Sequence, residues 1–214
     1  MAVAPRITAR ALRSETSVSR AGFTLVELMA AVAVFGILLS IAVPSVYHSM
    51  DSMESRQNAE SLSGRLRLAR SQALSSYSDV VVYFNRDGAG TYTVHVDNGG
   101  GTGTPDDPDF DPANKNNGVV DDEERVFTPV SLPARCVFGY VPGATTGDGV
   151  FLDTAISFAG APKRVTFRAD GTCDASGWIS VMPLEDFLDQ EPGRDYLVEL
   201  TSTTGEVRVE RAQH

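Results

Sequence analysis

Residues Phe23–Val43 read FTLVELMAAVAVFGILLSIAV, and only Glu27 among them is ionisable. As a helix rising about 1.5 Å per residue, this run spans roughly 31 Å, close to the hydrocarbon thickness of a bilayer. Arg6, Arg10, Arg13 and Arg20 precede it, and the next arginine is Arg56. That asymmetry predicts a cytoplasmic N-terminus and a translocated body. A carboxylate inside an apolar span is costly, so Glu27 needs a partner. Cleavage after Gly22 would supply one, an α-ammonium on Phe23, four residues from Glu27 in the same chain or in a neighbouring one.

The charge divides at the same place. The 214 residues carry a formal −10, yet the first 22 hold four arginines against Glu15, leaving −13 on the remainder. An acidic body repels nucleic acid as a default partner. Three histidines and two cysteines exclude a Cys₄ or Cys₂His₂ zinc module. No nucleophile elbow, HExxH or phosphate-binding loop occurs. His48, His95 and His214 are scattered, and the paired carboxylates lie where nothing would desolvate them. Enzymatic chemistry is not expected, and no cofactor is called for.

Ala21-Gly22-Phe23-Thr24-Leu25-Val26-Glu27-Leu28 resembles the class III signal of type IV pilins and type II secretion pseudopilins. The resemblance implies that a prepilin peptidase cuts between Gly22 and Phe23, that Phe23 is N-methylated, and that Glu27 directs assembly. Pro44 sits where pilin helices carry a proline kink. An ordinary signal peptide cut near Ser40-Ile41-Ala42, or an uncleaved anchor, are the alternatives. The first leaves Glu27 unexplained.

Beyond the span, Val46, Met50, Met53, Leu62, Leu66, Ala69, Ala73 and Tyr77 recur mostly at steps of three and four. They predict the apolar stripe of an amphipathic helix continuous with the span, Phe23–Tyr77, packed on a sheet. Strands are expected at 80–85, 91–96, 125–130, 136–141, 155–158, 164–168, 178–182, 196–201 and 206–210, with no second helix. The fold class is α+β: residues 1–22 a removed basic leader, 23–46 a transmembrane half-helix, 47–77 its amphipathic continuation, and 78–214 an antiparallel β-rich head. The body resembles the GspH/FimT branch of the pilin-like superfamily. Leu62–Leu74 (LSGRLRLARSQAL), Val165–Gly171 (VTFRADG) and Glu206–Val209 carry that likeness.

Residues 97–124 form a Gly-, Pro- and Asp-rich loop with nine acids and one base, Lys115. Asp111, Asn114, Asn116, Asp121 and Glu124 are candidate hard-oxygen ligands for calcium. With Gly118 at loop position 6 the EF-hand register fails, so a solvated loop is the expectation. Cys136 and Cys173 lie in the translocated segment, and an oxidising compartment permits a disulfide between them without requiring it.

The resemblance implies a non-enzymatic minor pseudopilin of the GspH kind. Such a subunit sits in the inner membrane with its head in the periplasm, then in a helical fibre. Its partners would be other pseudopilins or pilins and the prepilin peptidase. The alternative is a FimT-like minor pilin of a type IV pilus that takes up DNA. DNA-binding members use a Gly-Arg-x-Arg stretch. Here Gly205-Glu206-Val207-Arg208 has Glu in place of the first Arg, which makes nucleic acid an unlikely partner. Membership of a secretion system or of a pilus is not legible in the chain itself.

Overall fold

A computed structural model describes residues 24–86, 90–100, 111–117, 119, 121 and 124–214, with backbone only at 44–46, 48 and 49. The leader with Gly22 and Phe23 lies outside the described residues. The chain divides into two compact units, one ending at Pro44 and the other covering Ser45–His214. Helix α1 (Leu25–Ser76) contributes to both and continues through Pro44. In the first unit, residues 25–43 expose large apolar side chains along their whole length, and the stretch is long and apolar enough to cross a membrane.

The second unit holds two antiparallel sheets. The first is built on β1 (Asp79–Asn85), with β2 (Thr91–Asp97) on one side and β6 (Lys163–Phe167) on the other; β3 (Arg125–Val126) and β4 (Val130–Ser131) both pair with β2. The second runs β5 (Cys136–Phe138), β7 (Gly177–Pro183), β8 (Tyr196–Thr201), β9 (Glu206–Arg211). Register follows the two-residue period of a pleated strand. Val80, Val82 and Phe84 pair with Val96, Val94 and Tyr92, and most of this set faces the core.

That core is closed by α1. Ala59, Leu62, Leu66, Ala69 and Ala73 are buried against β-strand residues including Phe84, Phe167 and Val198. The expected stripe is correct from Leu62 to Ala73 and wrong at its ends. Met50, Met53 and Tyr77 are exposed, the last two at 61% and 78%. The buried face continues towards the N-terminus through Ala59, Ser55 and Asp51, two of which are polar and gave no apolar signal. Asp51 lies 3.3 Å from Arg135 and 3.9 Å from Arg194, and Arg194 also donates to the buried Asp186. An ion network, not apolar contact, anchors this turn of α1.

Asp186 belongs to a second helix, α2 (Leu184–Asp189), which the sequence reading did not anticipate. Six residues are too few for an amphipathic period to register. Two other expectations are corrected. Residues 155–158 make only an isolated bridge, Ile156 to Ile179, and the 125–130 strand is split at residues 127–129, which include Pro129. The remaining strands fall within three residues of the expected bounds.

Candidate functional site

The first structural feature with functional content lies at the start of α1. The Thr24 amide donates to Glu27 Oε2 at 2.9 Å, and the Thr24 hydroxyl donates to the same oxygen at 3.0 Å. The Glu27 amide donates back to Thr24 Oγ1 at 3.2 Å. This is a reciprocal capping box, satisfying amide groups that a helix N-terminus leaves without intrahelical partners. The Thr-x-x-Glu spacing that signals it is present in the sequence. The carboxylate therefore has a partner within its own chain, close to residue 23, where the expected α-ammonium would form.

The acidic loop is not simply solvated. Val81, Tyr83 and His95 lie on the face of the first sheet away from α1, and Val81 and His95 are fully buried. Described loop residues reach His95 and the strand ends beside it. Asn116 Oδ1 accepts the Asp79 amide at 2.8 Å, and Asn116 donates its own amide to Asp97 O at 3.4 Å. Glu124 accepts the Gly99 amide at 3.0 Å and the Asp121 amide at 3.2 Å. His95 stacks on Tyr83, with centroids 5.3 Å apart, and its Nε2 is 4.0 Å from Glu124 Oε2. Burial lowers the His95 pKa below its ordinary 6.5, against the opposing pull of Asp97. Burial also raises Glu124, more than its amide bonds lower it.

The described calcium candidates make hydrogen bonds of their own. The carboxylate and amide oxygens of Asp111, Asn116, Asp121 and Glu124 accept hydrogen bonds from Ala113, Asp79, Asn117 and Gly99. Asn114 is tied by its backbone to Asp111 O. Among the described residues no three acidic, histidine or cysteine side chains converge as a metal site. Asn116 and Glu124 thus tie described parts of the loop to the Asp79 and Gly99 amides.

The cysteines do not pair. Cys136, in β5, receives a hydrogen bond from Asn58 Nδ2 at 3.2 Å and lies 3.7 Å from Ser55 Oγ, so it packs on α1. Cys173 lies after β6 and donates to Ala175 O at 3.3 Å. Both are buried free thiols. Burial raises both pKa values, which keeps them protonated and unreactive.

The turn carrying Gly205-Glu206-Val207-Arg208 offers little to a phosphate. Arg208 Nε donates to Glu206 Oε1 at 3.0 Å, and Arg211 Nε donates to Gly193 O at 2.8 Å. Arg67 and Arg70 are occupied by the backbone oxygens of Val207 and Gly171. Gly205 has φ +60°, and a Cβ there would overlap Gly171 O and the Arg70 side chain. Glycine is thus required by close approach to the Gly171 carbonyl and to Arg70 of α1, whatever the turn binds. His214, the last histidine, pairs with Asp195 at 2.8 Å. The side chain of His48 is outside the described atoms.

Residues 18–43 match the prokaryotic N-terminal methylation motif. The match takes in the apolar run and Glu27 and ends before the second unit begins at Ser45. Two solved structures of the minor pseudopilin EpsH from the type 2 secretion system of Vibrio cholerae are similar to it. One is 15% identical over 74% of this chain and 97% of that chain, with a TM-score of 0.44. The other is 16% identical over 76% and 97%, with a TM-score of 0.43. Comparison with curated proteins finds no match.

Proposed function

We propose that this chain is a structural minor pseudopilin of the GspH kind, a subunit of a type II secretion pseudopilus. The observation that carries the reading is the methylation motif over residues 18–43, with Glu27 as the single ionisable group of the apolar run. In this reading prepilin peptidase cuts after Gly22, Phe23 is methylated, and the Glu27 carboxylate meets an α-ammonium on its own or an adjacent subunit. The N-terminus is cytoplasmic, the head periplasmic, and α1 packs against the helices of other pseudopilins in the fibre.

The pilus reading with DNA uptake is disfavoured by Glu206, which occupies Arg208, and by the −13 carried beyond the leader. Mass spectrometry of membrane-extracted protein tests the processing. A mature chain starting at methylated Phe23 is expected, and a start at Val43 or an intact Met1 would sink the reading. Secretion by a strain lacking this chain then tests the machine: loss of type II export, with DNA uptake intact, is the expected result.

A further inference from the structure

Two surface features of the second unit are complementary to each other. The first is a groove of 130 Å³ between α1 and the β2–β4 edge, lined in part by Leu68, Tyr92, Val94 and Phe127. Its rim carries Arg65 and Arg125, and among the described residues no acidic side chain lines it. Leu68 is 57% exposed, and the Arg125 guanidinium lies 4.7 Å from the Phe127 ring centroid. Its volume is close to the roughly 150 Å³ of a cavity that accepts benzene.

The second feature is a convex tip. Val150 and Phe151 are adjacent large apolar residues, exposed at 51% and 71%. The loop that presents them is fixed. Thr145 bridges to both Phe151 and Gln213, Thr146 Oγ1 accepts the Val150 amide, and Leu152 is buried behind. Asp148 and Asp153 flank the pair and are exposed. Scattered surface apolar residues need no explanation, but an aromatic residue beside an aliphatic one on a fixed loop with an acidic rim has the composition of an interface anchor.

We propose that the Val150–Phe151 tip of one copy seats in the Leu68–Phe127 groove of a second copy, with Asp148 and Asp153 meeting Arg65 and Arg125. Tip and groove are different patches, so the contact is heterologous and propagates head to tail rather than closing a two-fold dimer. One aromatic anchor and exposed ion pairs make a weak contact. It therefore has to be trapped rather than isolated.

The test uses the full chain in detergent, with p-benzoylphenylalanine introduced at position 151 (Phe151→p-benzoylphenylalanine). Equal amounts of ¹⁴N- and ¹⁵N-labelled protein are mixed and irradiated, and cross-linked peptides are read by mass. Mixed-isotope adducts on peptides containing Leu68 or Phe127 are expected. Their yield should fall several-fold in Arg125→Glu and recover when Arg125→Glu is combined with Asp153→Arg. The charge swap separates the contact from crowding in a shared micelle, and recovery shows that the single variant folds. Three results would each overturn the proposal: no mixed-isotope adduct, adducts spread over other surfaces, or a yield indifferent to the swap.

Discussion

Thr24 and Glu27 hold each other at the first turn of α1, hydroxyl to carboxylate at 3.0 Å and amide to hydroxyl at 3.2 Å. The carboxylate is thus engaged and oriented within its own chain. Glu27→Ala should leave insertion unharmed, because it makes the span more apolar. Subunit cross-linking and secretion should both fall. Wild-type levels of both in a complementation assay would refute the assembly role.

The position of the buried stripe makes a paired prediction. Leu66→Ala removes a fully buried side chain and should cost about 2–5 kcal/mol. Met53→Ala, at an exposed position of the same helix, should stay within about 0.5 kcal/mol. Urea unfolding of the two variants decides it, and equal losses would contradict the observed helix face.

Thiol chemistry checks the cysteines. The native protein should react slowly with a thiol reagent, and the unfolded protein should present two thiols without prior reduction. A chain that gains two mass units on reduction would carry the disulfide.

The cover over His95 should respond to acid. The folded state favours the neutral ring, so its contribution is full above about 6.5 and is lost as the pH falls through that value towards the lower folded one. Glu124 acts in the opposite sense, because burial raises its pKa above 4.5 and ionisation counts against the covered state. Arg164 and Asp121 also act on the ring, the first lowering and the second raising its pKa. Hydrogen exchange at the Gly99 amide, corrected for intrinsic rate, should lose protection between pH 7.5 and 6. In His95→Asn that loss of protection on acidification should vanish, and its persistence would refute the assignment to His95.

Much of this was legible from spacing. The run from Leu25 to Val43 and the apolar steps from Leu62 to Ala73 follow a helical period, and the main strands carry β-branched runs between turn residues. Asp51 and Ser55 could not be read as core, because they are buried through ion pairs and a thiol contact that depend on residues far away in the chain. Polar loop residues suggested solvent, whereas Asn116 and Glu124 accept the Asp79 and Gly99 amides and Glu124 is itself buried beside His95. Nothing local in the sequence distinguishes an Asn that faces water from one that accepts the Asp79 amide.

Only Tyr77 and Ser78 separate the end of α1 from β1. That connection leaves almost no slack. β1 is held by seven register pairs to β2 and five to β6. A pull or thrust travelling along the helix into the second unit thus enters the strand with two bonded neighbours, rather than one at an edge. The unit is loaded through its most heavily bonded strand, and a peripheral hairpin could be lost without breaking that line of force.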